Sequence, residues 1–146
     1  MRFCNMELAE SNMKQTVRLR DMAEINQYRK ELRDKIIAYA MKEFHQRGVK
    51  AVKMDEISRG LRVSKRTVYE IFGDKEELLL AGMKIERAEY KARVEQYALT
   101  HARNVIDVIG YIYRLQMERN QQVGIVFYEE IHRMPRILEF LKGGAR

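Results

Sequence analysis

The run Ser64-Lys65-Arg66-Thr67 sets two cations and two hydroxyls in succession, directly ahead of Val68, Ile71 and Phe72 at i, i+3, i+4 spacing. On a helix that spacing turns the apolar set to one side and leaves the donors of the first turn outside it. Donors so placed suit the phosphates and base edges of a duplex major groove. One other stretch imitates a chemical site. Glu129-Glu130-Ile131-His132 contains a single Glu-x-x-His, whereas a di-metal bundle needs that motif twice and two further inward glutamates. The expectation is a solvated helix face and no metal. The sequence has no Gly-rich phosphate loop, nucleophile elbow or paired Cys-His spacing. Neither a catalytic residue nor a cofactor is expected.

The elements that must position the run are legible on either side of it. Met54, Ile57, Ser58 and Leu61 repeat the amphipathic spacing, and only Arg62 and Val63 separate that segment from Ser64. Ser64 stands where its hydroxyl oxygen can accept from the first turn of the second helix. Two helices this short must cross steeply and lean on a third, which is helix-turn-helix geometry. The third comes from upstream. From about Asp21 a period sets in through Ile25, Leu32, Ile36, Ile37, Ala40, Met41 and Phe44, and Gly48 follows as a left-handed stop. His45, near its end, reads as a surface or partly buried histidine. Residues 1–20 show little periodicity and default to disorder or a loose helix. Their Lys14, Arg18 and Arg20 form either a basic arm for an adjacent groove or a solvated tail.

Residues 62–78, Arg-Val-Ser-Lys-Arg-Thr-Val-Tyr-Glu-Ile-Phe-Gly-Asp-Lys-Glu-Glu-Leu, resemble the hallmark run of the tetracycline-repressor-like (TetR) transcriptional regulators. The likeness extends over residues 32–82, through Ala40, Phe44, Gly48, Val49, Met54, Ile57 and Ser58. Two positions depart from the pattern. Arg62 replaces a turn glycine, at a cost of order 1 kcal/mol if its φ must be positive. Lys53 stands where a Ser or Thr usually caps the first motif helix, and Glu56 is expected to compensate by reaching back to the N-cap amide. Lys65, Arg66 and Thr67 are expected to face the major groove, with Lys53 and Ser64 on phosphates. The resemblance adds Tyr69 and Lys75 to the phosphate contacts, and it implies that the start of the scaffold helix, at Arg29 and Lys30, can touch the DNA backbone. Phe72, Ile57 and Val68 hold the motif together.

Beyond the motif, Asp74 with Glu77 forms a capping-box start, and Leu79, Met83, Glu86, Tyr90, Val94 and Tyr97 keep a helical period over five turns. Asn104 and Asp107 open a further helix with a face of Val105, Val108, Ile109, Ile112 and Leu115, ending near Asn120. Another runs through Ile125, Phe127, Tyr128 and Ile131. Pro135 suits the first turn of a last one, which Gly143 and Gly144 stop. The expected fold is all-α, with an N-terminal three-helix helix-turn-helix domain and a shortened helical regulatory domain. The expected divisions are an extension at 1–20, a DNA-binding domain at 21–80 and a partial ligand-binding and dimerisation domain at 81–146. The resemblance implies that Met83, Tyr90, Tyr97, Tyr111, Tyr113, Met117 and Phe127 enclose a small apolar or amphipathic effector, although residues so spaced also build cores. It implies a homodimer made by later helices, before which this chain stops.

Composition agrees with a nucleic-acid partner. The net charge is +7, and residues 47–66 hold seven cations (Arg47, Lys50, Lys53, Arg59, Arg62, Lys65, Arg66) against Asp55 and Glu56. A single cysteine, Cys4, excludes an internal disulfide framework and a Cys-rich zinc site. No apolar run approaches the roughly 18 residues of a membrane span, and residues 1–10 lack a signal-peptide core. The expected protein is a cytoplasmic, ligand-responsive repressor on a palindromic double-stranded operator. The alternative is a truncated interaction module that forms mixed dimers without useful DNA affinity.

Overall fold

No glycine or proline interrupts the chain before Gly48, and the residues up to it are rich in Met, Glu, Leu, Ala, Lys, Gln and Arg, which helices accommodate at little entropic cost. A computed structural model describes residues 2–143, and there α1 runs unbroken over Arg2–Arg47. Of the two alternatives for residues 1–20, disorder or a loose helix, the described residues from Arg2 take the helix, because propensity rather than packing decides there. The chain divides into two units, residues 1–35 and residues 36–146.

In the first unit the described side chains are exposed from Met6 to Glu31. Ile25 is 58% exposed, not part of a buried stripe as the sequence period suggested. Periodicity there marks the helix, not a core. Local bonds such as Gln27 to Glu31 and Thr16 to the Asn12 carbonyl decorate its surface.

The second unit opens with the last three turns of α1. Ile36, Ile37, Ala40, Met41 and Phe44 are buried with Val49, Val52, Ile57, Val68, Phe72, Leu78 and Leu79. Then follow α2 (Met54–Gly60), α3 (Lys65–Ile71), α4 (Lys75–Thr100), α5 (Val105–Gln122), α6 (Ile125–Ile131) and α7 (Pro135–Leu141). There is no strand among the described residues; the fold is all-α.

Most helix boundaries follow local chemistry. Gly48 takes φ +85° after α1, and a Cβ there would lie 2.8 Å from Val126 Cγ1, so both the backbone and the packing call for glycine. Gly82 admits the Met41 side chain where a Cβ would clash with its sulfur, which lets α1 and α4 approach closely. Asp74 caps α4 by accepting from the Glu77 amide, while the Glu77 carboxylate accepts from Gly73 N–H, one residue outside the expected box. Asn104 caps α5 through the Asp107 amide, and Pro135 occupies the first turn of α7. Gly143 follows α7 at φ +86°; Gly144 lies outside the described residues.

The face expected for α5 is the main departure. Leu115 is buried and Val108 half-buried, but Val105 is 74% exposed, and Ile109 and Ile112 are exposed too. α5 packs on α4 along the Val108–Leu115 edge of its apolar arc, and no described element covers the rest. On α4 the expected face is observed: Leu79 and Met83 are buried and Glu86, Tyr90, Val94 and Tyr97 half-buried.

Candidate nucleic-acid interface

The turn between α2 and α3 is held by three backbone bonds, Leu61 N–H to Ile57, Arg62 N–H to Arg59 and Val63 N–H to Ser58. It reverses direction at Arg62, whose φ is +56°. The positive φ that glycine would supply is here taken by an arginine. Ser64 then caps α3, its Oγ accepting from the Thr67 amide at 3.1 Å and lying 2.6 Å from the Thr67 hydroxyl. Val68 and Phe72 are buried and Ile71 half-buried, so the helix is fixed by one side.

Successive helical residues turn by about 100°. Arg66 and Glu70, two before and two after Val68, therefore stand opposite the buried side. Their side chains are 87% and 54% exposed and paired, Arg66 Nε to Glu70 Oε1 at 2.8 Å. Lys65 lies to one flank, 2.8 Å from Asp55 Oδ1 on α2 and near the exposed Tyr69 ring. The hydrogen bond to Asp55 holds the Lys65 ammonium above its ordinary pKa. Thr67 differs from expectation: it is half-buried and its hydroxyl is engaged with Ser64, so it completes the cap. Lys53 occupies the α2 N-cap position with extended backbone, exposed and making no cap bond. Glu56 does not reach back to that amide. It accepts from Arg47 at 2.8 Å, a bond that holds the Glu56 carboxyl below and the Arg47 guanidinium above their ordinary values.

Residues 36–81 match the family model for bacterial regulatory proteins of the tetR family. This segment is a tetR-family helix-turn-helix domain. The family is one of DNA-binding transcriptional regulators. No curated protein and no solved structure matches the chain.

Within the tetR-family domain, Lys75 is placed differently from the other cations. Its Nζ donates to the carbonyls of Val49 at 2.8 Å and Val52 at 2.9 Å, which leaves one N–H for any other partner. Burial pushes its ammonium below the ordinary lysine pKa. The same turn is held from the other side by Glu130 of α6, whose carboxylate accepts from the amides of Val49 at 2.5 Å and Lys50 at 2.9 Å. Glu130 is thus a positioning residue that sequence reasoning missed: it is an intervening residue of the Glu129-x-x-His132 run, and nothing local marks its partners 80 and 81 positions away. His132 turns to its own helix, Nδ1 at 2.6 Å from the Tyr128 carbonyl, and no cluster of three metal-ligating side chains occurs among the described residues.

Among the described residues, the seven assigned to an effector are spread over different surroundings: Tyr90 borders one open cleft and Tyr97 and Tyr111 another. Met83 and Phe127 are buried in the core, whereas Tyr113 and Met117 are exposed. Tyr97 and Tyr111 stack on each other at 4.1 Å. Tyr90 alone borders the open cleft between the end of α1, α4 and α5, with His45, Glu86, Arg93, Leu115 and Arg119. There Glu86 pairs with Arg119, and His45, edge-on to Phe127, brings Nε2 to 3.1 Å from Glu86 without hydrogen-bond alignment. Helical period located these residues on their elements, but only tertiary packing sorts core from surface.

Proposed function

We propose that the chain is a sequence-specific transcriptional regulator, a ligand-responsive repressor that binds a palindromic operator in the cytoplasm as a homodimer. One observation carries the reading. α3 is capped and locked by Val68 and Phe72 on one side, and it holds Arg66 and Lys65 out on the other. In this reading Arg66 enters the major groove, and Lys65, Tyr69, Ser64 and Lys53 grip the flanking phosphates, as does the remaining N–H of Lys75.

Response to a ligand is supported by how the turn ahead of α2 is held. Glu130 and Lys75 fix residues 49–52 from α6 and α4. The cleft beside Tyr90 is polar enough to suit an amphipathic effector, and its walls include α1 and α4, which also carry the motif. An occupant that shifted either helix would shift the motif with it.

Selection of bound duplexes from random DNA tests the proposal: a two-fold symmetric consensus supports it, and recovery of no consensus contradicts it. The interaction-module reading is favoured by one feature, the uncharged exposed stripe Val105, Ile106, Ile109, Ile112, Tyr113 and Met117 on α5. A chain that sediments as a monomer and binds no sequence above the non-specific level would belong to that class.

A further inference from the structure

We propose that Glu70 is a specificity-determining residue of the interface: it accepts from the amino group of a cytosine beside the guanine read by Arg66, and it weakens binding wherever that cytosine is missing. The inference rests on the DNA-binding reading above and assigns a role to an acidic side chain where cations are the usual contacts.

Placement is the first argument. Arg66 and Glu70 straddle the point of α3 opposite buried Val68, so whatever α3 approaches meets both side chains together. Glu70 is not set back behind a cation; its carboxylate is 54% exposed and pairs with Arg66 on the same outward face. A pair with no net charge gains nothing from the polyanion as such, because counterion release depends on cations left free to neutralise phosphate. If Arg66 swings to a phosphate, Glu70 is left without its partner beside a chain of negative charge. That outcome is unfavourable at every sequence.

Chemistry supplies an arrangement in which both are satisfied. Guanine offers O6 and N7 to an arginine, and cytosine N4 is a major-groove donor suited to a carboxylate. The pitch of a helical turn, about 5.4 Å, spans one to two base-pair steps of about 3.4 Å. The cytosine therefore lies within two base pairs of the guanine. Lys65 and Asp55 repeat the pattern on the flank, a cation held by a carboxylate of the motif until a better partner appears. The motif's local positive excess is thereby partly cancelled before DNA arrives, which keeps non-specific affinity low relative to specific affinity.

The test is selection from random duplex DNA by the full-length chain, run on wild type, Glu70→Gln and Glu70→Ala, with Glu139→Gln on α7 as a control of equal charge change. Folding of each is verified by circular dichroism, and non-specific affinity is titrated against salt. The expected wild-type half-site contains a guanine with a cytosine within two base pairs. Glu70→Gln exchanges the cytosine for adenine, the base that glutamine reads, and leaves the guanine in place. Both Glu70 variants bind random DNA more tightly, with a salt slope steeper by about 0.9. Measured on the wild-type consensus, the ratio of specific to non-specific affinity falls roughly tenfold for both variants, the loss of one good base contact there. An unchanged consensus and ratio in both variants would overturn the proposal while sparing the DNA-binding reading. Equal effects from Glu139→Gln would reduce it to net charge and so overturn it also. A wild-type selection that yields no consensus would overturn both.

Discussion

Arg62 stands at φ +56° in the turn between α2 and α3, with its backbone N–H bonded to Arg59. A non-glycine residue there carries steric strain of about 1 kcal/mol, so Arg62→Gly is expected to raise stability by up to that amount, read as a higher urea midpoint at unchanged slope. A lower midpoint would mean that the arginine side chain contributes more than the turn costs. Glu56 gives a prediction in pH. Its carboxyl is held below the ordinary value by Arg47, so the folded state binds that proton less readily than the unfolded chain. The resulting stability is fully present above the ordinary carboxylate range and is lost as pH falls through the depressed folded pKa. Glu56→Gln should therefore flatten the acid limb of the stability profile, and an unchanged limb would show that the pair contributes nothing in solution. Asn-, Asp- and Ser-type caps were readable because they act within four residues. The pairing of Glu56 with Arg47 across nine positions was not.

At the level of elements, the helix-turn-helix is assembled by contacts that local sequence does not announce. Lys75 at the start of α4 and Glu130 on α6 hold opposite polar groups of one short turn, and Glu130 lies 81 residues from the Val49 amide it accepts from. Glu130→Ala leaves that part-buried amide without its acceptor, a loss of about 1–3 kcal/mol. Hydrogen exchange should quicken at Val49 and Lys50 while the amides of α5 keep their protection. Uniform quickening would instead indicate general loosening. Helix order and the Ser64, Asp74 and Asn104 caps came through from period and turn residues, but the expected Glu56 cap did not; the spacing of Met54, Ile57, Val68 and Phe72 is itself the packing instruction. Burial did not. The same period runs through Ile25 and Ile109, both exposed, because periodicity states which side of a helix is apolar and not whether anything lies against it. Residues 2–20 show the opposite case, forming helix from propensity where no apolar face demanded it.

For the molecule as a whole, a net charge of +7 states only that an anion is favoured. Specific recognition depends on where the cations are free. Lys65 and Arg66 are matched by Asp55 and Glu70, Arg47 by Glu43 and Glu56, and Lys75 is committed to backbone carbonyls. In the proposed reading the surface that faces DNA is the outward side of α3, where Arg66 is paired only with the exposed Glu70 and can exchange that partner for a base. Binding-site selection with wild type and Arg66→Ala in parallel addresses that placement most directly. The account predicts a two-fold symmetric wild-type consensus and, for Arg66→Ala, relaxed preference at one position of each half-site, a loss there of about 1–3 kcal/mol of discrimination. An unchanged consensus, with all sequences weakened alike, would contradict it and return Arg66 to the phosphates.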